Sequence, residues 1–373
     1  MRFADIPGFE EIKKQLANAV QKNHVAHAQL FYGMEGSPNL ALALAYIAFI
    51  NCEQPTETDS CGQCSSCSKI DKLVHPDINF VFPVAPTAKI KGKDAISSNY
   101  LKEWRAFALE NPYGTSSDWL EYYGFENKQG NISKEESRQI VKSLSLKAFE
   151  AKYKVMLIWL PEFLHSAAAN AILKILEEPP ERTIFLLVTH HYDQLLTTIT
   201  SRSQLVTIRR FYDEELADLL VKLEHLDLPQ AQKIARLADG NMAEACRLVK
   251  EGDEGQGDIF GAWMRSCWSM KYQELLDKAN DFAGLSRVAQ KATFQYFLAM
   301  LRDALIAGFN EDLLRVKEEE KQFVFNFSNA VNPEKLEIMV REINTGIYHL
   351  ERNANPKILF LDISLKIMQV LKS

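Results

Sequence analysis

Four cysteines fall within sixteen positions, Cys52, Cys61, Cys64 and Cys67, separated by eight, two and two residues. Thiolates two residues apart in a knuckle can close on one ion, and four of them make a tetrahedral zinc site with no open position for catalysis. Gly62 suits the tight turn such a knuckle needs. The spacing therefore predicts structural zinc, with free thiols or a redox pair as the alternatives. Cys246 and Cys267 lie far off on predicted helices and read as core residues.

A second constellation is a phosphate loop that has lost its chemistry. A working loop reads G-x-x-x-x-G-K-[ST]: glycines turn backbone amides toward phosphates, Lys neutralises their oxygens and the hydroxyl holds magnesium. This chain has Gly33-Met34-Glu35-Gly36-Ser37-Pro38-Asn39-Leu40. Pro38 stands at the last glycine, Asn39 at the lysine and Leu40 at the hydroxyl. Glu35 adds negative charge. Taken alone, the run is also readable as an ordinary strand-to-helix turn.

The matching acidic strand is altered in the same direction. Nucleotide hydrolases of this architecture use an acid for magnesium and a residue that orients water. Here Val155-Met156-Leu157-Ile158 leads into Trp159 and Leu160, which occupy the two acidic slots, and Glu162 follows two positions late. Two separate parts of one site have thus changed together. The last candidate is Arg202, preceded by Ser201. By spacing alone it reads as a surface cation or a helix C-cap; the sharper reading is an arginine finger that stabilises a transferring phosphoryl group on a neighbour.

These residues need elements to hold them. Apolar spacing predicts a helix over 9–22, a strand at Gln29–Tyr32, and a buried helix at Leu40–Ile50, the longest apolar run and too short to span a membrane. Residues 82–131 are irregular and read as an insertion with one or two helices. They include the basic stretch Lys89-Ile90-Lys91-Gly92-Lys93. Ser133 and Glu136 fit a capping box opening a helix to about Phe149. Buried strands are expected at Val155–Trp159, Ile184–Thr189 and Leu205–Arg209, with a helix from Ser166 to Glu178 stopped by Pro179-Pro180. Strands alternating with helices imply a parallel sheet with helices on both faces.

After Phe211 the pattern is helical. Asp213–Glu224, Pro229–Leu237 and Met242–Lys250 read as a small separate bundle, and 251–258 as a linker rich in glycine and acid. A stripe of Leu336, Met339, Val340, Ile343, Ile347 and Leu350 marks a helix over 334–352. The last helix, about 356–371, is expected at the centre of a bundle.

The chain has 373 residues, 47% hydrophobic and 25% charged, with 43 Lys and Arg against 49 Asp and Glu for a formal net charge of −6. That excludes a strongly basic nucleic-acid coat protein and, with 21 Phe, a disordered chain. The opening run Met1-Arg2-Phe3-Ala4-Asp5-Ile6-Pro7 lacks the apolar stretch of a secretory leader, so the expected location is cytoplasmic.

Three runs occur in order around the cysteine module: His27-Ala28-Gln29-Leu30-Phe31-Tyr32-Gly33, Ala169-Asn170-Ala171-Ile172-Leu173-Lys174-Ile175-Leu176-Glu177-Glu178-Pro179-Pro180, and Thr198-Ile199-Thr200-Ser201-Arg202-Ser203. Together they resemble the bacterial DNA polymerase III clamp-loader subunits of the AAA+ family, and among these the delta-prime type, whose nucleotide site is degenerate. The resemblance implies an α/β AAA+ module over 1–211, a helical lid over 212–250 and an all-α collar over 259–373 that mediates assembly. It implies a subunit without ATPase activity of its own, partnered by gamma/tau motor subunits and delta. Such a ring loads a sliding clamp onto primed DNA, with ATP bound by neighbours. Carried over, Arg202 with Ser201 becomes a trans arginine finger. Thr189 takes the place of a polar sensor, and Ala243 stands where a motor would place a second sensor arginine. The alternatives are an ATP-hydrolysing gamma/tau-like motor, which needs a Lys at Asn39 and an acid at Trp159, and a zinc-dependent DNA-binding protein.

Overall fold

The computed structural model of the protein describes residues 1–87, 90, 92–125, 130–145, 147–251, 259–285, 287–308, 314–315 and 318–372. The basic Lys89 and Lys91, and linker residues 252–258, lie outside the described residues.

Runs of apolar residues become parallel strands when helices cover both faces of the sheet. The first such strand, β1 (Ala28–Gly33), follows α1 (Glu10–Gln21) and leads into α2 (Asn39–Ile50). Every residue of α2 is buried, as an all-round apolar helix must be. The cysteine loop then runs into α3 (Ser65–Asp71) and β2 (Ile78–Val81). The strands β3 (Lys154–Trp159), β4 (Thr183–Thr189) and β5 (Gln204–Ile208) complete one parallel sheet ordered β2-β3-β4-β1-β5. Side chains alternate across it. Val155, Leu157 and Trp159 enter the core shared with α2, whereas Met156 and Ile158 enter a second core on the opposite face.

Between β2 and β3 lie α4 (Leu101–Glu110), α5 (Ser116–Tyr122) and α6 (Lys134–Ser145). An antiparallel bridge between Val84 and Asn131 closes the segment expected as an insertion. Its interior is aromatic: Phe82 stacks on Trp104 at 4.8 Å, Phe107 meets Trp119 at 5.4 Å, and Trp119 Nε1 donates to the Pro83 carbonyl at 2.8 Å. After β3 come α7 (Ser166–Glu177), against which the His27 ring bonds the Leu176 carbonyl at 3.1 Å, and the short α8 (Thr197–Thr200). Then α9 (Asp213–Glu224), α10 (Leu228–Ala238) and α11 (Met242–Glu251) follow β5.

Four sequence expectations are corrected. The strand β2 was not anticipated, although the insertion begins directly after it, where it was expected. The capping box at Ser133 does not form: Ser133 Oγ has no partner among the described residues, while Glu136 accepts from the Ser97 amide at 2.7 Å and its hydroxyl at 3.1 Å. A tertiary acceptor role has taken the carboxylate from the local cap. The helix opening there ends at Ser145, short of Phe149. Finally, β5 is an edge strand, with Gln204, Leu205 and Thr207 exposed, and not a buried one.

The chain divides into two compact units, Met1–Lys250 and Glu251–Ser373. In the first, Leu216, Leu220, Ala235 and Met242 of α9 to α11 share a buried apolar cluster with α2 and with Trp104 and Phe107. The second unit is helical: α12 (Ile259–Trp268), α13 (Tyr272–Gly284), α14 (Arg287–Ala307), α15 (Glu318–Ala330), α16 (Pro333–Glu351) and α17 (Pro356–Lys372). Leu336, Met339, Ile343 and Leu350 of the expected stripe are buried, with Val340 and Ile347 at the margin. Helix α17 packs on α12, α13 and α16, and Trp263 Nε1 donates to Ser364 Oγ at 2.9 Å inside the bundle. Its Ile358 and Leu365 are nonetheless exposed. Among the described residues, no helix is long and apolar enough to cross a membrane.

Candidate functional site

The glycine turn sits where the strand-turn-helix context requires, between β1 and α2, at the carboxyl end of a central strand. Asn39, in the lysine slot, is 1% exposed. Its amide donates to the Thr189 carbonyl at 2.9 Å and more weakly to Gly33 at 3.4 Å, and lies 3.3 Å from His190 Nδ1. Its carbonyl oxygen accepts from the Leu40 amide. Asn39 thus ties the ends of β1 and β4 together, a neutral cross-brace where a cation would reach for phosphate. His190 Nδ1 contacts the Gly33 carbonyl at 3.1 Å, and burial, only partly opposed by Glu35, holds its pKa below the usual range.

The turn is also covered. Gly36 has φ +77°, a left-handed conformation that glycine adopts without penalty. A Cβ there would lie 1.8 Å from Asn241 Oδ1, and the Gly36 carbonyl accepts from the Met242 amide at 3.1 Å. Asn241 simultaneously caps α11 by accepting from the Glu244 amide at 3.0 Å. Asn241 and the start of α11 thus lie directly against the turn.

Trp159, in the first acidic slot, is fully buried against Trp104 at 6.3 Å and Phe107 at 5.9 Å. Leu160, in the second, is 1% exposed. Glu162 accepts from Thr189 Oγ1 at 2.9 Å, and burial raises its pKa. Thr189 is therefore a structural donor here. His191 Nε2 lies 3.8 Å from Glu35. Sequence reasoning missed His190 and Asn241. The paired histidines closing β4 and the Gly240-Asn241 step before a helix were the available signals.

Arg202 lies two residues after α8 and two before the edge strand β5. Its Nε donates to Glu177 Oε1 at 2.7 Å, with Nη2 also paired to that oxygen. Nη1 donates to the Thr198 carbonyl at 2.9 Å and Ser201 Oγ at 3.3 Å. The side chain is about one-third exposed, and Glu177 about half. The guanidinium is held at the surface, at the end of α7 that leads into Pro179-Pro180.

The four expected thiols converge. The sulfurs of Cys52, Cys61, Cys64 and Cys67 all lie within 4.8 Å of one another, with Cys61 and Cys67 4.0 Å apart. Tetrahedral zinc–sulfur bonds of about 2.3 Å place ligand sulfurs about 3.8 Å apart, so this donor set fits one ion. Amides support the thiolates: Cys61 Sγ accepts from Gln63 and Cys64, which push its pKa down to about 6, and Cys52 Sγ accepts from Cys61. Burial instead raises the Cys67 thiol. The loop docks through Asp59, which accepts from the amides of Phe3 and Ala4. Cys267 is buried as expected, whereas Cys246 sits at the core margin, 3.8 Å from Glu224.

A family model described as DNA polymerase III, delta subunit, matches residues 8–212. The chain is 24% identical to DNA polymerase III subunit tau of Bacillus subtilis over 99% of its length and 62% of that protein. It is 25% identical to subunit delta' of Escherichia coli, covering 80% of this chain and 74% of that one. The chain thus spans less than two thirds of the tau relative. A solved gamma subunit-related protein of Thermotoga maritima aligns over 95% of this chain and 99% of its own, at 17% identity and a TM-score of 0.37.

Proposed function

Since the chain belongs to the DNA polymerase III delta-subunit family of clamp-loader proteins, we propose that it is a non-catalytic, delta-prime-like subunit. In this reading it supports ATP-driven loading of the sliding clamp onto primed DNA alongside gamma/tau motor and delta subunits. It holds no nucleotide itself, and it lends Arg202, oriented by Ser201, to a neighbour's site. The first unit combines an AAA+ module (1–211) with a lid (212–250), and the helical second unit (259–373) is the assembly collar. The observation that carries the reading is Asn39. A neutral amide built into the junction of β1 and β4 cannot neutralise phosphate, and Trp159 supplies no metal ligand.

Zinc fits the four thiols, where it would be structural: it would tie the end of α2 to α3 and present no open coordination position.

Two measurements test the proposal. Titration of the purified chain with Mg-ATP should give no heat of binding; micromolar binding would replace the scaffold reading with a nucleotide-sensing one. In a reconstituted complex, Arg202→Ala should lower ATP turnover at one site by about 10³-fold or more, the worth of an arginine finger. An unchanged rate at that site removes the finger assignment.

A further inference from the structure

The part of the insertion formed by Tyr100, α4, α5 and the loop between the two helices has no role in the reading above. We propose that it is an internal brace that locks α9 to α11 onto the α/β module, so that contacts within the chain, and no ligand, set the position of those helices.

The brace is anchored at one end on the sheet. Trp159 faces the α2 side of β3, and Trp104 and Phe107 of α4 pack on it. The residue that would bind magnesium in a hydrolase is thereby the seat of the insertion. Tyr100 Oη fastens the same segment to the Ala85 carbonyl at 2.9 Å.

At its other end the brace reaches the connection from β5 to α9. Tyr113, in the loop between α4 and α5, is 6% exposed and meets Phe211 edge to face at 5.6 Å and 77°. Phe211 is the residue through which the chain passes from β5 toward α9. It is gripped on two further sides. Phe9 packs on it at 5.2 Å and 89°, and its amide donates to the Gly240 carbonyl at 3.2 Å. Gly240, φ +72°, approaches so closely that a Cβ would lie 2.3 Å from the Phe211 carbonyl oxygen. Tyr113 therefore packs its ring on the residue that leads from the sheet into α9. Asn241 over Gly36 fastens the opposite side of the same helices. One apolar core runs without a break from Trp104 and Phe107 to Leu216 and Ala235.

Hydrogen exchange on the full chain tests this. Tyr113→Ala should raise exchange of the amides of α9 to α11 by about tenfold, the order supported by one aromatic pair. Amides of β3 and β4 should be unchanged, and Tyr113→Phe, which keeps the ring, should behave as the parent protein. No change in α9 to α11 with Tyr113→Ala, or an equal rise throughout Met1–Lys250, overturns the proposal. So does protection of α9 to α11 by millimolar Mg-ATP in the parent protein, since a nucleotide would then be holding them. Should Tyr113→Ala fail to fold, Tyr113→Leu keeps apolar volume, loses the edge contact and is read by the same criteria. Arg202 takes no part in these outcomes, so they bear on the insertion independently of the finger.

Discussion

Asn39 is a structural residue at the junction of β1 and β4. Its amide satisfies the Thr189 carbonyl at the buried junction of two strands. Asn39→Ala should therefore lower stability by about 1–3 kcal/mol, the cost of leaving buried partners unsatisfied, as read from urea unfolding. Asn39→Lys should not restore ATP binding: it buries a cation beside His190 with no phosphate present and leaves Asn241 over the turn. The buried histidines give a pH dependence of defined sign. Burial holds His75 below its ordinary 6.5, with Glu150 and Asp77 partly opposing, and His190 shifts the same way. The unfolded chain then takes up protons first as pH falls, so stability is full above about 6.5 and declines below it. Glu136, raised by burial, acts oppositely: its contribution declines as pH rises from its ordinary 4.5 through its folded value. Between about pH 7.5 and 5.5 the melting temperature should fall, and His75→Gln should flatten the part due to His75. A melting temperature that rises on acidification over that range would contradict the assignment.

At the scale of elements, the cysteine module was legible because its four thiols are close in sequence and their convergence is local. Under the proposed structural role, removing zinc should act locally too. Metal analysis should find about one zinc per chain, and a chelator should increase hydrogen exchange over 52–64, the loop ahead of α3, before it affects β4, since structural zinc binding is folding free energy for the segment it closes. Full protection of that segment in metal-free protein would show that the thiols pack without an ion. The strands β1, β3 and β4 were equally legible, as continuous apolar runs of a sheet covered on both faces. Elements defined by distant partners were not. β2 has four residues and gains its identity from pairing with β3. Glu136 has the spacing of a cap residue but is recruited by Ser97, 39 positions away. The edge position of β5, which exposes Leu205, is a property of the whole sheet. In the site itself, Asn39 and Trp159 were visible as residue types and Asn241 as a candidate cap before α11, whereas the contacts of Asn241 with Gly36 and of Tyr113 with Phe211 are encoded by no spacing.

At the scale of the whole molecule, the first unit is one body built around α2, and the functional question becomes how its surface arginine would act on a neighbour. In the isolated chain Arg202 is paired with Glu177 at the exposed end of α7. An exposed ion pair contributes about 0–1 kcal/mol, because solvent screens it and ordering two long side chains costs entropy. An arginine finger contributes about 10³-fold or more to turnover, several times that free energy. Under the proposed function, the pair with Glu177 is therefore too weak to hold the guanidinium back from the charge that develops in a neighbour's transition state, and Glu177 is a resting place for it, not a catalytic partner. Glu177→Ala should change ATP turnover of the reconstituted complex by no more than about fivefold, while Arg202→Ala removes the finger's full effect. Added salt should shrink the Glu177→Ala effect, since screening already weakens the pair it removes. If Glu177→Ala instead matched Arg202→Ala, the carboxylate would be needed to aim the guanidinium, and the pair would have to enter the neighbour's site as a unit.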